Sequence, residues 1–219
     1  MTTKDDARSK IAELVDRFSA DKDTADYNEG QMRHYYILPL FEALGWDTSN
    51  PADMTAEEHI SGGFVDFGFY INSVTAFFLE TKRARKRLDK TENITQAINY
   101  SYLKGVTWAV LTDFQRLMVF NADIKVKVRK PMDAVFLDID YKDLAGERFD
   151  DLWLLSKPAM QTREIDDLAT RYGKKPKKQP VTDKLFADLT QWRRALFREM
   201  YVQGTTLWAQ DIRKVDGLP

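Results

Sequence analysis

Apolar side chains occupy alternate positions between residues 64 and 71, and this period predicts a β-strand with one buried face. Asn72 and Ser73, which follow directly, are typical of a tight turn. The run of β-branched and aromatic residues at 74–79 predicts a second strand. We therefore expect the segment to form a β-hairpin.

The surrounding sequence has the pattern of an α/β domain with a mixed central sheet. Three segments repeat apolar residues at helical spacing: residues 5–20, 29–44 and 91–104. Three short apolar runs predict further strands: residues 107–112, 116–121 and 134–139. Residues 47–62 show no period and contain Pro51, so we expect a loop there.

After residue 143 the pattern becomes helical. Helices are expected at residues 149–156 and 161–172. Residues 173–180 contain two prolines and four lysines, which is typical of an exposed linker. Residues 183–200 then place their apolar side chains on one helical stripe, which needs a surface to pack on.

The composition sets the size of what this chain can build. Its 219 residues, 43% hydrophobic and 31% charged, allow one good core and a small appendage. We expect an α/β domain at residues 1–143 and a helical extension or connector at residues 144–219. The sequence has no obvious ending at residue 219, so we also expect it to be the N-terminal part of a longer polypeptide.

Two absences narrow the class of protein further. The sequence has no cysteine, which excludes thiolate metal sites and disulfides and fits a reducing compartment. Its N-terminus is polar, and no apolar run approaches the roughly 18 residues that span a bilayer. We expect a cytoplasmic protein with no membrane partner.

Charge is distributed unevenly although the net charge is only −1. Residues 1–79 hold 6 Lys and Arg against 14 Asp and Glu, whereas residues 80–130 hold 12 against 5. The basic residues that begin the second part are Lys82, Arg83, Arg85, Lys86, Arg87 and Lys90. Such a run is either a solvated surface or a path for the phosphates of bound DNA.

Three polar residues of the hairpin suggest a specific chemistry. Alternation sends Asp66 to the side opposite its apolar neighbours, and Glu80 and Lys82, two residues apart, to one side of the second strand. We expect all three on one surface. Carboxylate oxygens suit Mg²⁺, which also binds phosphate oxygens, and an ammonium beside them can orient an attacking water.

This arrangement resembles the signature of the PD-(D/E)xK nucleases. Asp66 is followed after thirteen residues by Glu80, Thr81 and Lys82. Val65 stands where the signature usually has proline, at a position that varies widely in the family.

The flanking sequence extends the resemblance to restriction enzymes. Residues 28–47 resemble the first helix of restriction subunits, in which an acid such as Glu29 faces the site. Residues 96–102 resemble their Gln-x-x-x-Tyr helix, here with Gln96 and Tyr100. Together these features cover about the first 120 residues.

The resemblance implies a restriction-endonuclease-like core and cleavage of double-stranded DNA that leaves a 5′-phosphate and a 3′-hydroxyl. The implied ligands of Mg²⁺, for which Mn²⁺ can substitute, are Asp66, Glu80, Glu29 and the carbonyl of Thr81. Lys82 would position the attacking water, and Gln96 with Tyr100 would lie at the edge of the site. Arg83, Arg85, Lys86, Arg87 and Lys90 would contact DNA.

Plainer interpretations remain open for several of these residues. Glu29 and Arg33, four positions apart, can be a simple ion pair on a helix surface. Tyr100 can be an ordinary core residue and Gln96 an exposed polar one. The whole chain can also be a non-catalytic DNA-binding or assembly module that retains a nuclease fold.

Two kinds of restriction enzyme remain possible. The helix around Trp192 resembles the connector that precedes the methyltransferase in type IIG restriction-modification enzymes, which favours that class over the R subunit of a type I enzyme. No phosphate-binding loop and no GxGxxG occurs in the sequence. We therefore expect methyltransferase, specificity or helicase domains elsewhere in the same polypeptide or complex.

Overall fold

The computed structural model of the chain describes residues 2–60, 63–84, 87–123 and 131–173, together with residue 192. One compact unit spans Met1–Pro176 and a second spans Lys177–Pro219. Apart from Gly173 and Trp192, the predicted linker and the predicted helix at 183–200 lie outside the described residues. The sheet and its flanking helices belong to the first unit.

Six strands form one mixed sheet, ordered as they occur in the chain. They are β1 (Met54–Ile60), β2 (Gly63–Ile71), β3 (Val74–Thr81), β4 (Trp108–Thr112), β5 (Arg116–Asn121) and β6 (Val135–Asp140). Strands β3 and β4 are parallel and every other neighbouring pair is antiparallel. A parallel pair needs a crossover, and a helix at Thr91–Leu103 supplies it. The predicted mixed sheet with flanking helices is confirmed.

Helices cover both faces of the sheet. The helices before the sheet are α1 (Lys4–Ala20), α2 (Glu29–Met32) and α3 (Leu38–Ala43), and α4 is the crossover helix Thr91–Leu103. Val110 of β4 packs in the core cluster that contains residues of α1 and α3. Its neighbours Ala109 and Leu111 pack in the cluster that contains residues of α4. Because alternate residues of a strand face opposite sides, α4 lies across the sheet from α1 and α3.

The loop predicted at residues 47–62 is wrong, because β1 occupies Met54–Ile60. The sheet register passes from the pair Ala56 and Phe67 directly to the pair Glu58 and Val65. Glu57 is left out of the ladder with a φ of 51°. The register is the same on both sides of Glu57, so no residue is inserted there. The strand was missed because Glu58 breaks the apolar alternation of Met54, Ala56 and Ile60 by which a strand is recognised in a sequence.

The helical segment predicted at residues 29–44 is continuous but contains a π-helical turn, Arg33–Ile37, between α2 and α3. Pro39 has no backbone N–H, so it cannot donate to the carbonyl of Tyr35 as a regular helix requires. The Arg17 guanidinium donates to that carbonyl instead. The π-helical turn thus coincides with two features: Pro39, which cannot donate a backbone hydrogen bond, and Arg17 of α1, which donates one in its place.

Three short helices follow the sheet: α5 (Phe149–Trp153), α6 (Lys157–Gln161) and α7 (Glu164–Arg171). Helix α6 was not predicted separately, and Arg163, with a φ of 61°, separates it from α7. Trp46 Nε1 donates to the Leu155 carbonyl at 2.9 Å, and Trp108 Nε1 donates to Asp166 at 2.8 Å. These helices therefore pack on the same core as the sheet, while the division into functional domains at residue 143 stays a prediction.

In the part of the chain that the structure describes, no helix combines the length and the apolar character needed to cross a membrane.

Candidate active site

The candidate site lies where the two parallel strands end. Thr81 of β3 pairs with Thr112 of β4, and the Lys82 backbone N–H donates to the Thr112 carbonyl at 2.9 Å. On the other side, Phe67 of β2 pairs with Leu79, and the next residues along the two strands are Asp66 and Glu80. Carboxyl ends of parallel strands are common places for ligand sites, because the sheet stops there while its flanking helices continue.

Glu80 is the most deeply placed acid of the site, with 3% of its surface exposed. Its Oε1 accepts from Lys82 Nζ at 2.5 Å and from Gln96 Nε2 at 2.8 Å. Its Oε2 is buried and has no hydrogen-bond partner among the described residues. Burial raises the pKa of Glu80, and the negative charge of Asp66 raises it further against the opposing effect of Lys82.

Asp66 is held by a different set of partners. Its Oδ1 lies 2.6 Å from an Nη of Arg33. Its Oδ2 accepts from the Thr81 backbone N–H and from the Thr81 hydroxyl, both at 2.7 Å. The hydroxyl in turn accepts from Arg33 Nε at 2.6 Å, so the three residues form a closed network.

Glu29 is connected to the site by its ion pair with Arg33. It is the first residue of α2, where Asn28 and Gln31 form a capping box. Its Oε2 lies 3.8 Å from the Arg33 guanidinium, and its side chain is 37% exposed. The ion pair on the helix surface is therefore present, and the same guanidinium also contacts Asp66.

The two strand acids are approached from opposite faces of the sheet. Asp66 is bonded to Arg33, which follows α2, whereas Glu80 is bonded to Gln96 of α4. Among the described residues no group of three or more Asp, Glu or His side chains is placed to hold a metal ion. The three predicted carboxylate ligands, Asp66, Glu80 and Glu29, thus do not form one metal-holding group. The Thr81 carbonyl stays a predicted ligand.

The residues present nevertheless fit a magnesium ion. Mg²⁺ is commonly bound by one or two carboxylates, with waters and substrate phosphate as its other ligands. A buried carboxylate oxygen without a partner is costly in a folded protein, and Glu80 Oε2 is such an atom. Asp66 lies close enough to affect the pKa of Glu80. These two carboxylates are the donor pair that the structure offers.

Gln96 and Tyr100 have different surroundings although they share one face of α4. Gln96 reaches Glu80 and shares its Oε1 with Lys82. Tyr100, one turn further along, packs against a small core cluster that includes Val65 and Phe78. Gln96 can thus fix the Glu80 carboxylate, and the observed contacts of Tyr100 are those of a packing residue.

The basic segment after β3 is anchored by apolar residues. Ala84 and Leu88 are buried, while Arg83 and Lys90 are exposed. Arg87 is exposed and makes two hydrogen bonds of 3.1 Å to Asp89. Arg85 and Lys86 lie outside the described residues. The described part therefore presents cations to solvent.

Arg33 is the site residue that sequence reasoning assigned only a surface role. Its contacts with Asp66 and Thr81 join residues far apart in the chain. The one available signal was its position six residues before Pro39, which marks an irregular helical turn.

The fold is a mixed sheet between helices, with an aspartate and a Glu-Thr-Lys strand end where its two parallel strands stop. The chain is 23% identical over 210 residues to the type II restriction enzyme and methyltransferase RM.Eco57I of Escherichia coli, an alignment that covers 88% of this chain and 21% of that protein. This similarity confirms the predicted relationship to restriction enzymes. The chain thus spans about a fifth of the curated relative it matches.

A second comparison is with a solved structure. The type IIG restriction endonuclease BpuSI aligns over 59% of this chain and 16% of its own, with a TM-score of 0.39 and 16% sequence identity. No protein-family model matches the chain.

Proposed function

We propose that this chain is the Mg²⁺-dependent DNA endonuclease domain of a restriction-modification system. The observation that carries the proposal is the environment of Glu80, a buried carboxylate beside Asp66 and a buried lysine. One of its oxygens has no hydrogen-bond partner in the part of the chain that the structure describes. Buried carboxylate oxygens in folded proteins are in the large majority hydrogen-bonded or bound to an ion, so this one needs an explanation. A site that binds a metal cation and a phosphate would account for this Glu80 oxygen, because the cation would be its partner.

Each described residue then has a distinct task. Asp66 and Glu80 would hold the metal, and the Thr81 carbonyl and Glu29 are the proposed additional donors. A bound Mg²⁺ stabilises negative charge on the phosphate and lowers the pKa of a water, and Mn²⁺ can replace it. Lys82 holds Glu80 and would orient the attacking water. Gln96 fixes the same carboxylate from α4.

The charge of the site is consistent with this assignment. With all groups in their ordinary states, Glu29, Asp66 and Glu80 contribute three negative charges, and Arg33 and Lys82 contribute two positive ones. A divalent cation would convert the net charge of −1 to +1. A phosphodiester carries one negative charge and would then balance the site, which favours binding of substrate after metal.

The basic segment supports DNA as the substrate. Arg83, Arg87 and Lys90 begin directly after the proposed catalytic strand, and Arg85 and Lys86 of the same segment are assigned to DNA by sequence alone. Phosphate contacts of this kind position a duplex without reading its sequence. We therefore propose that these residues hold the backbone and that target recognition belongs to other domains.

Within this class we favour a type IIG enzyme, with a type I R subunit as the alternative. The relative RM.Eco57I is named as both restriction enzyme and methyltransferase. The sequence around Trp192 resembles a connector to such a domain. The proposed partners are thus double-stranded DNA and a methyltransferase or specificity domain.

One observation favours a second candidate, a non-catalytic DNA-binding or assembly module. Both oxygens of Asp66 already have partners in Arg33 and Thr81. If that arrangement is permanent, Asp66 does not bind metal, and the chain would bind DNA in a salt-dependent way without cutting it.

Plasmid cleavage separates the two candidates. Supercoiled DNA is incubated with Mg²⁺ and wild type, Glu80→Gln or Lys82→Ala, with Glu147→Gln as a control that alters an exposed glutamate elsewhere. We expect nicked or linear DNA from wild type and the control, and a loss of about 100-fold or more in the other two. Equal cleavage by all four proteins would overturn the assignment.

A further inference from the structure

The guanidinium of Arg33 is the cation that contacts Asp66. It lies 2.6 Å from Asp66 Oδ1 and donates through Nε to Thr81 at 2.6 Å. It also lies 5.5 Å above the Phe67 ring. These are the fixed contacts of a planar cation with several donors.

The local fold directs Arg33 to this position. The capping box at Asn28 fixes the start of α2, and the π-helical turn begins at Arg33 itself. That turn is the one associated with Pro39 and with the Arg17 contact to Tyr35. The Arg33 side chain is 25% exposed and the Asp66 side chain is 19% exposed, so the ion pair is partly buried and still in contact with solvent.

The two acids of the site thus have separate cations. Glu80 is paired with Lys82 through its Oε1, and its Oε2 has no hydrogen-bond partner among the described residues. Asp66 is paired with Arg33 through Oδ1 and with Thr81 through Oδ2, so both of its oxygens have partners. A metal ion bound by both carboxylates can use the free Glu80 oxygen directly, but at Asp66 it must compete with a guanidinium.

We propose that Arg33 is the resident counter-ion of Asp66 and that the metal must displace it, so that Arg33 sets the affinity of the site for divalent cations. The inference rests on the proposed function. It assigns to Arg33 a positioning role: it neutralises Asp66 in the metal-free protein and releases it when the metal binds.

The test measures binding of Mn²⁺, without DNA, to wild type, Arg33→Gln, Arg33→Lys, Glu80→Gln and Arg148→Gln by isothermal titration calorimetry. Arg33→Gln removes the charge and the ion pair. Arg33→Lys keeps the charge but loses the two-point contact with Asp66 and Thr81. Arg148→Gln removes a comparable Arg–Asp pair, that of Arg148 with Asp151, outside the site.

We expect Arg33→Gln to bind Mn²⁺ roughly tenfold more tightly than wild type, because one charge-assisted contact no longer opposes the metal. Arg33→Lys should lie between the two, and Arg148→Gln should match wild type. A role in stability alone predicts the reverse, since a loosened site binds metal less well. Circular dichroism spectra establish that each variant is folded.

Two outcomes oppose the inference alone, and a third result shows failure of the proposed function. Equal or weaker binding by Arg33→Gln overturns it while the metal site stands. Tighter binding by Arg33→Gln with wild-type binding by Arg33→Lys shows a through-space charge effect, which also overturns displacement. If wild type binds no Mn²⁺, or Glu80→Gln binds it equally well, the proposed metal site itself fails.

Discussion

Glu80 of β3 and Lys82, the first residue after that strand, form an ion pair that is almost fully withdrawn from solvent. The ammonium lies 2.5 Å from Oε1, and the two side chains are 9% and 4% exposed. Exposed ion pairs contribute little to stability, whereas loss of one partner from a buried pair leaves a charge without compensation. The pair therefore links stability to the proposed catalytic chemistry.

The first prediction concerns this pair. Lys82→Met should lower the free energy of unfolding by about 3 kcal/mol, because Glu80 then retains a buried charge without its cation. The double variant Lys82→Met/Glu80→Gln should recover most of that loss, since neither remaining group is charged. Urea unfolding measures both values, and DNA cleavage should be lost in both. An unchanged unfolding free energy for Lys82→Met alone would contradict the pairing.

The second prediction concerns the basic segment. Arg83→Gln and Lys90→Gln should each weaken DNA binding and should reduce the slope of log K against log salt by about 1, because each removes one phosphate contact. Fluorescence anisotropy in EDTA measures binding without cleavage. Lys10→Gln, at an exposed position of α1, is the matched control and should leave the slope unchanged. Unchanged slopes in all three variants would show that the segment is only a solvated surface.

Much of the fold and part of the candidate site could be predicted from the sequence, because the helices and strands follow local periodicity. The hairpin, helix α4 and strand β5 follow directly from runs of apolar residues. Strand β1 could not be recognised, because Glu58 breaks the apolar alternation of Met54, Ala56 and Ile60. The strand acids could be named from their motif, whereas the Arg33 contact to Asp66 depends on how α2 is placed against the sheet. Long-range pairing of this kind leaves no periodic signal.

The third prediction concerns the π-helical turn. Arg17→Ala should lower the free energy of unfolding by about 1 kcal/mol or less, because the Tyr35 carbonyl loses its donor. In a Pro39→Ala background the same change should have a smaller effect, since residue 39 then has an N–H that can reach Tyr35. Urea unfolding of the four proteins in this double-mutant cycle gives the coupling. Additive effects would show that the proline and the arginine are not linked through that carbonyl.

The last prediction concerns pH and Asp113, which begins the turn between β4 and β5. Asp113 is 3% exposed and accepts from the Arg116 backbone N–H at 2.9 Å. Burial raises its pKa from 3.8 to about 6, against the opposing effect of hydrogen bonds. Between these two values the folded protein retains a proton that the unfolded chain has lost. The free energy of unfolding should therefore fall as pH rises through this window, by at most about 3 kcal/mol from this group.

The variant Asp113→Asn removes this proton and keeps an oxygen for the Arg116 N–H. Residue 113 should then contribute no pH dependence to the free energy of unfolding. The difference in this free energy between the variant and wild type should grow in favour of the variant between pH 4 and pH 6 and then stay constant. Asp133→Asn, at an exposed aspartate, serves as the control. Urea unfolding at several pH values measures the margin. If that margin were the same at pH 4 and pH 7, Asp113 would not carry the buried proton, and the turn would tolerate a charged carboxylate without loss of stability.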